Sequence, residues 1–132
     1  MDDSLGIWET WFEKARKFVK YPEDDFRLGR YDSASFFAQQ SVEMLLKGVL
    51  VKRTEARPYT HSISEMLNTL SLILQKEVPQ DILICASKLE RHYAAARYPD
   101  TGVVDYGKWD AEEALECMRR IIRYVDELGE HI

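Results

Sequence analysis

Apolar residues in this chain recur at intervals of three and four in five separate stretches, and nowhere alternate with period two for long enough to make a strand. The last stretch is the clearest. Ala111, Ala114, Leu115, Met118, Ile121, Ile122, Val125 and Leu128 trace one helix face, and Gly129 stops it. Asp110 and Glu113 predict a capping box at its start, with Trp109 packing on the first turn. At the other end, Trp8, Trp11, Phe12, Ala15, Phe18 and Val19 predict a first helix, capped by Asp3 or Ser4 and ended within a turn by Pro22. Ala34, Phe37, Ala38, Val42, Leu45, Leu46 and Val49 predict a second, from a cap at Asp32 or Ser33 to about Lys52. Phe36, Met44 and Leu50 widen its stripe, which predicts a helix covered on more than one side, at the centre of a bundle or at a subunit contact. Ser62-Ile63-Ser64-Glu65 is a capping box for a third helix carrying Ile63, Met66, Leu67, Leu70 and Leu74. Pro79 suits the first turn of a fourth, whose stripe is Ile82, Leu83, Cys85, Ala86, Leu89 and Tyr93.

Five such patterns with short connections predict an all-α fold: an up-and-down antiparallel helical bundle of four main helices plus an N-terminal helix, one domain over residues 1–132. A chain of 132 residues buries about two-thirds of its extended surface on folding, enough for a core without staples. Lys and Arg total 18 against 23 Asp and Glu, for a net charge of −5. That balance argues against bulk binding to DNA or to an anionic membrane. No apolar run is long enough to span a bilayer, and MDDSLGIWETW lacks the pattern of a signal peptide. Cys85 and Cys117, far apart in sequence and each inside an apolar pattern, read as reduced core residues of a cytoplasmic protein.

No catalytic set is complete. His61, His92 and His131 form no helical zinc pair, no glycine-rich phosphate loop is present, and Gly48 inside the second helix reads as a close-packing position. Two groups of residues rise above this background. Lys47, Lys52, Arg53, Arg57 and His61 cluster where the second helix ends; they suit either electrostatic capping of that end or an anion site. Tyr93, Arg97, Tyr98 and Asp100 lie where the fourth helix ends; Arg97 with the tyrosines suits a planar anionic ligand, and Arg97 with Asp100 or Asp105 would instead lock the loop. Gln39, Gln40 and Glu43 sit beside the apolar stripe and need partners, in a neighbouring helix, across a dimer seam or on a ligand.

The pattern Tyr31-x-x-Ala34-x-Phe36-Phe37-Ala38-Gln39-Gln40-Ser41-Val42-Glu43-x-x-x-Lys47 resembles the signature second helix of HEPN domains (higher eukaryotes and prokaryotes nucleotide-binding). Thr60-His61 before a Leu-rich helix, Tyr93-x-x-x-Arg97-Tyr98-Pro99-Asp100, and Ala114-Leu115-Glu116 are similar to further motifs of that family, in the same order over about residues 8–128. The resemblance implies a helical bundle that commonly dimerises and often pairs with a separately encoded minimal nucleotidyltransferase, sometimes as a toxin–antitoxin module. Some branches are metal-independent ribonucleases with an Arg-x4-6-His motif. Here neither Arg57 nor Arg53 stands at that spacing from His61, and a metal-free ribonuclease needs a group such as histidine to move protons. The expectation is therefore a non-catalytic module binding a nucleotide such as ATP, or a protein partner, as a homodimer. Its candidate ligand-binding residues are Arg97, Tyr98, Tyr93, Asp100, Lys47, Arg57 and His61. A ribonuclease acting on RNA and a plain oligomerisation scaffold are the alternatives.

Overall fold

A computed structural model describes residues 4–97 and 106–130. Among the described residues six helices follow one another: α1 (Ser4–Phe18), α2 (Lys20–Arg27), α3 (Tyr31–Thr54), α4 (Ile63–Leu74), α5 (Gln80–Arg97) and α6 (Lys108–Glu127). Among the described residues there is no strand. The arrangement is the up-and-down all-α bundle that the apolar spacing predicts, with one short helix more. α2 is the addition. Pro22 does end α1, but it also occupies the first turn of α2, where its missing N–H has no intrahelical partner to lose.

α3 is the central element. It touches each of the other five helices, and Ala34, Ala38, Val42, Leu45, Leu46, Val49 and Leu50 are all buried along it. Of the residues that broaden its stripe, Leu50 is buried within the chain, while Phe36 and Met44 stay partly exposed. Phe12 and Ala15 of α1, Met66, Leu67 and Leu70 of α4, Ile82, Ala86 and Leu89 of α5, and Leu115, Met118 and Ile121 of α6 join the same apolar cluster. Gly48 is where α1 lies closest to α3: an added Cβ would meet the Phe12 ring at 2.5 Å. Cys85 and Cys117, distant in sequence, are buried and free, and the two thiols adjoin where α5 meets α6. Burial, with Cys85 beside it, pushes the Cys117 thiol up to about 12.

The helix ends differ from the sequence expectation in detail. α3 starts at Tyr31 after Arg30, with no side-chain cap. Asp32 accepts instead from the Ser33 N–H, and Ser33 Oγ donates to Asp25 of α2. Ser62 does cap α4, accepting from the Glu65 N–H at 3.2 Å. α6 begins three residues earlier than expected, at Lys108 after an N-cap at Gly107. Asp110 is its third residue and reaches back to the Gly107 N–H at 2.9 Å, whereas Glu113 faces His92 and Trp109 is 81% exposed and packs on nothing in the core. The Asp3 cap lies outside the described residues.

Candidate functional site

Helical periodicity puts Glu90, Tyr93 and Arg97 on one face of α5 and Phe36, Gln39, Gln40, Glu43 and Lys47 along one side of α3. The bundle turns these two faces toward each other. Gln39, Gln40, Glu43, Glu90, Tyr93 and Arg97, with His61 from the loop before α4, line a cleft of about 560 Å³, within the range of small-molecule sites.

One end of the cleft is aromatic. The Phe36 and Tyr93 rings stack with centroids 5.4 Å apart and planes at 23°. The Arg97 guanidinium lies 5.8 Å from the Phe36 ring centre and 5.5 Å from that of Tyr93, and donates a hydrogen bond to the Tyr93 hydroxyl. The cation is thereby held over two π-faces. The wall is polar: Gln40 Nε2 donates to Gln39 Oε1 at 2.8 Å, and Gln39 is buried.

The other end is an ionic cluster. Glu43 and Lys47, with side chains only 6% and 4% exposed, pair at 3.4 Å. The other Glu43 oxygen lies 3.1 Å from His61 Nδ1, and Lys47 Nζ lies 3.3 Å from the same nitrogen. His61 itself is mostly exposed. A buried ion pair stays put only when its geometry is good and its remaining hydrogen-bonding capacity is met. His61 Nδ1 serves one partner at a time, donating to Glu43 when it carries the proton and accepting from Lys47 when it does not. Glu90 closes this end by accepting, on a single oxygen, from Ser62 Oγ and from the Ser64 N–H, each at 3.0 Å.

The two groups of candidates that the sequence presents separately therefore meet. Lys47 and His61 come from one, Tyr93 and Arg97 from the other. Arg57 does not line the cleft: its guanidinium sits over the Trp11 ring at 5.3 Å, a ring that Lys47 Nζ also approaches, at 5.7 Å. Lys52 and Arg53 are not an open anion site either, because both grip the buried Glu130 carboxylate, at 3.1 and 2.6 Å. Tyr98, Asp100 and Asp105 lie outside the described residues. Glu90 and the Phe36 ring are missed by the sequence reasoning. The spacing Glu90-x-x-Tyr93-x-x-x-Arg97 is the signal that places Glu90 on the cleft face.

A second network lies across α5 from this cleft. Tyr106 bonds Ser35 of α3 and His92 Nδ1 of α5, the latter at 2.8 Å, and His92 Nε2 meets Glu113 of α6 at 2.9 Å. Burial pushes the Tyr106 hydroxyl up to about 12. The hydrogen bond from His92, helped by Lys88, holds the Glu113 carboxyl below its ordinary range. Among the described residues no group of three or more His, Cys, Asp or Glu side chains could hold a metal ion, and no helix is long and apolar enough to cross a membrane.

The HEPN domain family model matches residues 8–128. Among solved structures, TT1696 from Thermus thermophilus is 32% identical over 96% of this chain and 98% of its own, with a TM-score of 0.80. ST0689, described as an archaeal HEPN homologue, is 30% identical over 92% of this chain and 96% of its own, with a TM-score of 0.71. A HEPN domain protein from Thermotoga maritima, tm0613, shares the fold, with a TM-score of 0.71 and 23% identity over 93% of this chain and 99% of its own. No curated protein matches. The helical bundle, the family match across nearly its whole length and the two solved structures at 30% identity or above place this chain in the HEPN family.

Proposed function

We propose that this chain is a nucleotide-binding module whose ligand occupies the cleft between α3 and α5. The observation that carries this reading is the meeting of the Phe36–Tyr93–Arg97 stack with the Gln39–Gln40 amide pair in one cleft of nucleotide-accommodating size. Arginine supplies planar, forked donors for a phosphate. Aromatic rings supply a stacking face for a base, and amides supply the paired donor and acceptor that a base edge requires. A thermal-shift panel with ATP, GTP, other nucleotides and short RNA tests it. A ligand at 100 times its Kd stabilises the fold by about 2.7 kcal/mol. The account expects a shift with a nucleotide that Arg97→Ala abolishes; no shift with any of them contradicts it.

The module works as a homodimer in the cytoplasm beside a separately encoded minimal nucleotidyltransferase, in the manner of a toxin–antitoxin pair. Family membership supports the pairing. An apolar hollow of about 280 Å³ between Thr10, Trp11, Lys14 and Met44 supports a subunit contact. Light scattering at tens of micromolar checks the dimer, and a monomeric mass contradicts it.

A metal-independent ribonuclease is the second reading, favoured by one contact. The buried Glu43 carboxylate holds His61 by Nδ1 in the same cleft as Arg97, an arrangement that orients an imidazole for proton transfer. RNA cleavage without added metal that His61→Ala abolishes would establish it, and intact RNA would dismiss it.

A further inference from the structure

Glu90 lines the cleft at its ionic end, and its two carboxylate oxygens differ. Oε1 accepts from both Ser62 Oγ and the Ser64 N–H at the start of α4. Oε2 takes no hydrogen bond from the described residues. The side chain is half-buried and lines the cleft. The two bonds fix the orientation of the carboxyl group, because rotating it would strip two donors at the α4 N-terminus of their acceptor. A carboxylate oxygen can only accept, so the cleft that holds the Gln39–Gln40 pair also presents a fixed acceptor. Glu90 and Arg97 stand seven residues apart on one helix, about 10 Å along its axis. The Arg97 side chain folds back one turn onto Tyr93, and its guanidinium and the Glu90 carboxylate line the same cleft.

Resting on the nucleotide reading above, we infer that Glu90 reads the base. Its Oε2 accepts a hydrogen bond from an exocyclic amino group while Arg97 takes the phosphate, so the cleft selects an adenine-type nucleotide over a purine without that group. A site built to bond a substrate N–H rejects the analogue that lacks it, because the site's own polar group is left unpaired.

The test is calorimetric titration of the full chain with AMP and with purine riboside 5′-monophosphate, which lacks only the 6-amino group. A hydrogen bond to a charged acceptor makes AMP the tighter ligand by about tenfold or more. In Glu90→Gln the side-chain oxygen still serves Ser62 and Ser64 while an amide donor faces the base, so the two ligands come within about threefold of each other. Equal binding of the two ligands to the unaltered chain overturns the role of Glu90 and leaves the cleft reading standing. So does a preference that survives in Glu90→Gln, because another group would then read the amine. Binding of neither ligand overturns both readings together. The comparison on the unaltered chain needs no variant to fold.

Discussion

The Tyr93 ring of α5 lies stacked on the Phe36 ring of α3, 5.4 Å between centroids, with the Arg97 guanidinium over both faces. This contact joins two helices at the mouth of the cleft and gives Arg97 a fixed position. Replacing Tyr93 by Ala removes both the stacking surface and the hydroxyl that receives Arg97. Base stacking on an aromatic ring contributes about 1–3 kcal/mol, so Tyr93→Ala weakens nucleotide binding by about tenfold or more, while Tyr93→Phe keeps most of it. Titration of both variants with one nucleotide checks this.

Glu43 and Lys47 are a buried pair, and removing one partner strands the other. Lys47→Ala is expected to cost about 3 kcal/mol of folding stability. The double variant Glu43→Gln with Lys47→Met leaves no uncompensated charge and regains most of that loss. Urea denaturation of the two proteins decides it; equal stability would show that the pair is not held as the structure places it.

Gly48 is the position that lets α1 press against α3. In Gly48→Ala the added carbon would stand 2.5 Å and 2.6 Å from two atoms of the Phe12 ring, itself buried in the core. Overpacking of this kind costs about 1–3 kcal/mol, which exceeds the roughly 1 kcal/mol that alanine gains in helix propensity. The melting temperature therefore falls in Gly48→Ala.

Glu113 sets a pH dependence. Its carboxyl group is held below the ordinary carboxylate range chiefly by the His92 hydrogen bond. The folded state thus favours the ionised form, so its contribution is present above the unfolded carboxylate pKa and is lost as pH falls through the lower folded value. The side chain is about half exposed, and the contribution is that of a surface pair, on the order of 0.5 kcal/mol. Glu113→Gln is accordingly less stable than the unaltered chain at neutral pH, and the gap closes in acid. A melting series from pH 7 to about pH 3 reads both ends.

Much of the bundle is legible in the sequence because its strongest signals are local. α6 carries an unbroken run of apolar positions at helical spacing, and Gly129 takes the left-handed backbone, φ 93°, that ends it. Pro22 is ambiguous in sequence: the same ring that stops one helix fits the first turn of the next. Trp109 and Glu113 are misplaced because N-cap geometry depends on the backbone of Gly107, which side-chain types do not reveal. The cleft is half legible. Lys47, His61, Tyr93 and Arg97 are visible as chemistry, yet only the packing of α5 on α3 makes them neighbours. Arg57 shares their charge but is drawn to Trp11, and Arg53 to Glu130, through contacts between residues far apart in the chain. Glu90 is overlooked because its orientation is set by Ser62 and Ser64, in a different element.

The central claim is that a nucleotide occupies the cleft between α3 and α5. The most direct measurement is amide chemical-shift mapping by NMR as AMP is titrated into the labelled protein. The account predicts saturable shifts concentrated at Gln39, Gln40, His61, Glu90, Tyr93 and Arg97, with the Lys52–Arg53–Glu130 end unmoved. No saturable shift, or shifts centred away from these residues, would contradict it.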